Sequence, residues 1–395
     1  MDSGSASPRP KNGAGLNMKI KLLAVAACVF YVTFAVGSSA LGGTGRMHVA
    51  CSADGNKIVA VFENGGISNS VDSGKTWCSG DAPTNGWWAV ASSADGEKLV
   101  ASGGGIYTSS DGGETWESND VPVLGWTALG SSEDGAKLVA VAPGAVYTST
   151  NSGSIWIPRN LPKLSWTTVA SSADGSRLAV AASADGSVGG IYTSVDSGNT
   201  WIANSFPADT TTSFDPTIAA SADGSRLAVA VLDVGIYIST NFGTNWSETR
   251  AGNTWWEGVG LSADGRIITA ITVIAFYIST NLGATWTPVT SLEGGDYYQF
   301  ASSADGNVLI GANWFVDSID VIRLSPTPVL RIAPFSNSAV LSWILPSVSV
   351  VLQQSTDLNT TNWTDVGSPL TLTNLQYQTT VSTATNQMFF RLAPQ

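Results

Sequence analysis

Short runs of alternating apolar and small or polar residues recur along the chain, each broken by a turn. The stretch 87–116, WWAVASSADGEKLVASGGGIYTSSDGGETW, shows the unit whole. One strand ends at the turn Ala94-Asp95-Gly96, a second begins near Leu99, and a third carries Ile106-Tyr107-Thr108. A second turn, Ser109–Trp116, then closes the unit. β-Formers dominate and no helical period appears, so the pattern predicts short strands throughout. The first turn repeats at Asp54, Asp95, Asp134, Asp174, Asp223, Asp264 and Asp305, in steps of 41, 39, 40, 49, 41 and 41 residues. Seven units of one supersecondary type follow.

Aligning the seven aspartates exposes the first strand of each unit. Five residues earlier stand Val49, Val90, Leu129, Val169, Ile218, Val259 and Phe300, each followed by Ala or Gly. Two residues earlier every unit has Ser. Large beside small suits a strand near a crowded axis. Four short strands per unit at a period near 40 residues predict propeller blades. The second turn has the form Ser-x-Asp/Asn-x-Gly-x-x-Trp, complete in six units and missing from the seventh, 297–325. Its third positions are Asp72, Asp111, Asn151, Asp196, Asn241 and Asn281. Such side chains brace a tight turn by accepting backbone N–H bonds, and Asn does so without charge, which predicts a structural role.

These motifs resemble the Asp-box of the BNR, sialidase-type repeat family over roughly 41–324. The resemblance implies an all-β, seven-bladed β-propeller with the Asp-box between the third and fourth strands of each blade. It is similar to photosystem II assembly factors, which bind protein, and to xyloglucanase-type enzymes, which pair two propellers around a cleft. It also implies a ligand site on the face opposite the two turns. The Arg-Ile-Pro signature and arginine triad of sialidases have no clear counterpart here. After the linker Pro326-Thr327-Pro328, the strands of 325–395 resemble a small Ig-like or fibronectin type III-like β-sandwich with Trp343 in its core.

The N-terminus adds a compartment. Met18-Lys19-Ile20-Lys21 precedes the apolar run Leu22–Val36 and the small residues Gly37-Ser38-Ser39-Ala40. This predicts a secretory signal peptide within 1–40, cleaved after Ala40, and a secreted or cell-envelope protein. An uncleaved anchor is the alternative and the one expected contact with a membrane. Val25-Ala26-Ala27-Cys28 has the look of a lipoprotein box, but the apolar run continues past it. Cys51 and Cys78 fall on the first and fourth strands of one unit, too far apart for a disulfide. Charged residues make up 12% of the chain and net charge is −12, which argues against nucleic acid. One histidine, His48, argues against histidine metal sites and Ser-His-Asp catalysis, so no metal or cofactor is expected.

Eight residues before each turn aspartate stand Arg46, Trp87, Trp126, Trp166, Asp215, Trp256 and Tyr297. They read either as packing between blades or as a binding ring around the axis, where aromatic faces suit sugar rings. A glycosidase needs two carboxylates flanking the scissile bond. Asp215 is the candidate within the ring, and Glu63, Asp81, Glu117, Asp120, Asp185, Asp209, Asp233, Glu248, Glu293 and Asp296 are the other acids expected on that face. No complete catalytic set is apparent. The sequence therefore points to a monomeric, exported, non-catalytic recognition scaffold for a protein or glycan. A glycoside hydrolase and a structural or adhesive surface protein are the alternatives.

Overall fold

The computed structural model describes residues 31–37, 43–183, 190–206, 216–252, 254–289, 296–313 and 318–324 of the repeat region. Beyond it, residues 331–335, 338–344, 350–355, 362–366, 371–373, 376–382 and 389–394 are described. Every described regular element is a strand. Tyr31–Leu324 forms one compact unit, which thus begins ahead of the boundary expected at residue 41. It holds seven four-stranded antiparallel sheets. In six of them sequence order is spatial order, as in Pro216–Ala220, Leu227–Val231, Gly235–Ser239 and Ser247–Glu248. The seventh takes Tyr297–Ser302, Val308–Asn313 and Ser318–Leu324 from the end of the repeats and Tyr31–Gly37 from the N-terminus.

The core lies between sheets. Seven apolar clusters each join two consecutive sheets. Val59, Val61 and Ile67 of the first sheet meet Trp87, Val90 and Leu99 of the second. The circuit closes where Val308, Ile310 and Val321 of the seventh meet Met47, Ile58 and Phe62 of the first. Small residues on the second strands, Ala60, Ala101, Ala140 and Ala270 among them, are fully buried and let the sheets approach.

The x-Asp-Gly turns explain the sevenfold serine. In the fourth sheet, Ser172 Oγ donates to Asp174 Oδ1 at 2.6 Å and accepts from Arg177 N at 3.0 Å, while Ser176 N donates to the same Asp oxygen at 2.9 Å. All seven copies repeat the Ser–Asp bond at 2.6–2.7 Å. The turns are also linked to one another. Ala53 N donates to Ala94 O, Ala94 N to Glu133 O, and so on through Ala173, Ala222, Ala263 and Ala304, whose N–H returns to Ala53 O. These seven bonds measure 2.6–2.9 Å and form a closed ring.

The Ser-x-Asp/Asn-x-Gly-x-x-Trp turns sit on the same face. Ser73, Gly112, Ser152, Ser197 and Phe242 donate their N–H to carbonyls of the first turn of their own sheet at 2.8–2.9 Å. Within each turn Ser braces the Asp or Asn and accepts from the Gly amide, as Ser70 Oγ does from Gly74 N at 2.8 Å. Asn151 accepts from Ser149 and from Ile155 N at 2.9 Å, so Asn replaces Asp without loss of these bonds. The indole N–H of Trp77 donates to Gly74 O at 3.0 Å and plugs the turn.

Ser325–Gln395 belongs to a second unit. Its described strands form a four-stranded sheet, ordered Arg331–Phe335, Ser338–Ile344, Gln376–Ser382, Thr371–Thr373, and a three-stranded sheet, ordered Thr364–Asp365, Val350–Ser355, Phe389–Pro394. Leu341 and Leu352 are buried, one from each sheet. The side chain of Trp343 lies outside the description.

Candidate functional site

The first strand of every sheet runs toward the ring of x-Asp-Gly turns, so the starts of these strands surround the other end of the axis. There they enclose a cavity of about 940 Å³ with contributions from all seven sheets. Its apolar floor is Val90, Leu129, Val169, Ile218, Val259 and Phe300. Above it stand Trp88, Thr127, Thr167, Pro216, Glu257 and Tyr298, with Arg46 and His48 of the first sheet.

The upper residues stand one position after the aromatic ring expected from the sequence, and in three sheets the reason is a bulge. Pairing between the first two strands shifts at Trp166/Thr168, Trp256/Gly258 and Tyr297/Gln299. The extra residue of each bulge, Thr167, Glu257 or Tyr298, turns to the axis. The preceding aromatic turns into the junction between sheets.

This corrects the expected binding ring. Trp87, Trp126, Trp166, Trp256 and Tyr297 are 0–2% exposed, so their faces offer no stacking platform. Trp87, Trp126, Trp166 and Trp256 meet Tyr107, Tyr147, Tyr192 and Tyr277 of their own sheets edge to face, with centroids 5.2–5.4 Å apart. Tyr297 packs on Phe276 of the preceding sheet and donates its hydroxyl to the Asp320 carboxylate. In the fifth sheet, where Asp215 broke the aromatic pattern, Phe206 packs on Tyr237 at 4.9 Å. Asp215 itself lies outside the described residues. Among the described members of the expected ring, Arg46 alone keeps an exposed place at the mouth. The accessible aromatics are the neighbours: Trp88 lines the cavity at 41% exposure, and Trp255, beside Trp256, is 58% exposed.

The expected acids separate in space. Asp296 lines the cavity with Glu257, an acid the sequence pattern hid behind Trp256. Glu117 and Asp120 instead line a lateral groove of about 390 Å³ with Lys98, Gly135 and Ser152. Asp81 Oδ1 accepts from Trp116 N at 3.1 Å, next to the neighbouring sheet's turn. Asp185, Asp209 and Glu293 lie outside the described residues. The six Asp/Asn positions of the second turn stand at the opposite end from the cavity.

Polar chemistry at the mouth centres on His48. Its Nε2 is shut off from solvent and meets no protein partner, while the ring faces Trp88 and Tyr298 at 6.1 and 6.3 Å between centroids. Burial, then the Arg46 charge, lowers its pKa to about 4, so it is neutral at pH 7. The first sheet is stitched to the seventh here: Met47 N donates to Tyr298 Oη and Val49 N to Gln299 Oε1 at 2.9 Å. Thr127 Oγ1 donates to Trp166 O at 2.8 Å in the same way. Among the described residues the rim of the mouth thus gathers one cation, two acids, a neutral imidazole and an open indole.

Comparison with solved structures settles the architecture. A structure described as YCF48 bound to D1 peptide aligns over 74% of this chain and 96% of its own, with TM-score 0.56 and 16% identity. Kuenenia stuttgartiensis hydrazine synthase aligns over 71% and 95%, with TM-score 0.59 and 15% identity. The Cps50 (Swd1) beta-propeller domain of Myceliophteria thermophila aligns over 73% and 99%, with TM-score 0.54 and 13% identity. The fold is a β-propeller. At these identities the likeness is one of fold. No family model and no curated protein matches the chain. The sheets are the blades of the propeller, and the cavity is the mouth of its axial channel.

Proposed function

We propose that the chain is a seven-bladed Asp-box propeller that acts as an exported, non-catalytic scaffold and holds a segment of a protein partner at its axial mouth. The observation that carries the reading is the mouth itself: an open cavity of about 940 Å³ whose rim joins the exposed Trp88 to Arg46, Glu257 and Asp296. Aromatic and arginine anchors beside a partly apolar pocket are the usual source of binding energy in protein recognition. Bulged, cross-stitched strands hold them in place, which lowers the ordering cost of binding. The similar fold of YCF48 is seen bound to a D1 peptide, which supports a peptide ligand for this chain. The exposed indoles of Trp88 and Trp255 also suit a sugar face, so a glycan is the second reading.

The test is selection of peptides on the purified full chain, with a polysaccharide panel run beside it for retention and released reducing sugar. Binding of selected peptides should weaken about tenfold or more in Trp88→Ala, as for an anchor residue. Peptides indifferent to both Trp88→Ala and Arg46→Ala would place recognition elsewhere. Release of sugar would replace the scaffold with a glycoside hydrolase.

A further inference from the structure

We infer that Tyr31–Gly37 stays in the mature protein as the outer strand of the last blade, so that any processing of the N-terminus falls ahead of Tyr31. The strand pairs antiparallel with Ser318–Leu324 over its whole length, from Tyr31 opposite Leu324 to Gly37 opposite Ser318. In the other six blades the outer strand follows the Ser-x-Asp/Asn-x-Gly-x-x-Trp turn and is two or three residues long. The seventh unit lacks that turn, and its chain passes from Leu324 into the second unit. The N-terminus fills the vacant position with seven residues.

The residues suit the place. Tyr31-Val32-Thr33-Phe34-Ala35-Val36 is rich in β-branched and aromatic types, whereas Leu22–Ala27, separated from it by Cys28-Val29-Phe30, consists of Leu, Ala and Val. The continuous apolar run is therefore two segments in one: a short hydrophobic leader and a blade strand. Cleavage after Ala40 would remove the strand and leave Ser318–Leu324 as a long edge. Six of those seven residues are buried, and an exposed apolar edge of that length invites pairing with other chains. The same N-terminal stretch continues into Gly43–Cys51, the inner strand of the first blade, so it ties both ends of the ring together.

The experiment is to express the full chain with its own N-terminus in an export-competent bacterial host and recover it through a C-terminal tag. Intact mass then gives the mature N-terminus. An uncleaved chain, or an N-terminus ahead of Tyr31 including one at Cys28, is the expected result. A mature N-terminus at Leu41 would overturn the inference. The second arm compares the full chain with one that starts at Leu41. Truncation should lower Tm by about 5 °C or more. Amide exchange across Ser318–Leu324 should be about tenfold faster or more, and a synthetic Tyr31–Gly37 peptide should slow it again. Equal Tm and equal exchange would contradict the strand's role. Should the shortened chain not fold, Phe34→Pro in the full chain, opposite Val321, carries the same test by local exchange.

Discussion

Single residues set the two turns, and they do so within a few positions of themselves. Ser172 is 1% exposed and serves both as donor to Asp174 and as acceptor for Arg177 N. Ser172→Ala leaves that part-buried amide and the Asp174 carboxylate without their shared partner and should cost about 1–3 kcal/mol in chemical denaturation. A second prediction concerns Leu282, which holds φ at 57° where the second blade has Gly112 at 72°. Leu282→Gly should raise stability by about 0.5–1 kcal/mol, because relief of the left-handed strain exceeds the added freedom of the unfolded chain. The turn aspartates add a dependence on pH. Hydrogen bonds from the Thr76 and Thr200 hydroxyls hold Asp72 and Asp196 at about 2, and bonds from Ser172 and Ser221 do the same for Asp174 and Asp223, against an ordinary value of 3.8. A depressed carboxylate stabilises the fold fully above its unfolded pKa, and that share is lost as pH falls from about 4 toward 2. Thermal melts from pH 7 to 2.5 should show stability falling in that window. Asp72→Asn should lower Tm at pH 7, with the gap to the parent closing toward pH 2.5.

The elements show where sequence reasoning succeeds and where it stops. The turns were legible because Ser, Asp and Gly complete their bonds locally, so their spacing alone reveals the number and order of units. The role of the ring of aromatics was not, because alternation assigns a residue to a face only while pairing is regular. The bulges after Trp166, Trp256 and Tyr297 exchange the inward and axial positions. Trp166 and Trp256 thus became wedges between blades; Trp87 is buried in the same way, and Trp88 beside it is the open anchor. The last outer strand was hidden for a different reason: its partner lies at the far end of the repeats, and its apolar residues merge with the leader before them. Phe206 escaped notice because it precedes the strand it packs against rather than standing in the repeat register. At this scale the wedge makes a prediction. Trp87→Ala removes a fully buried indole from the core between the first two blades and should cost about 3–5 kcal/mol in stability.

At the scale of the molecule, closure and recognition are separated along one axis. One end carries both families of turns and the ring of backbone bonds from Ala53 to Ala304 and back. Lys57, Lys98, Lys137 and Arg177 belong to that end, where each lies near the turn aspartate of the next blade and helps to hold its pKa down. The other end is left with the cavity and its mixed rim. Stability and binding should therefore respond to different substitutions, even at adjacent residues. The most direct measurement is a pair of variants, Trp87→Ala and Trp88→Ala, each assayed for Tm and for affinity toward a peptide selected on the parent chain. The account predicts that Trp87→Ala lowers Tm markedly, while Trp88→Ala keeps Tm within a few degrees and loses about tenfold or more in affinity. Parent-like affinity in a folded Trp88→Ala protein would contradict it.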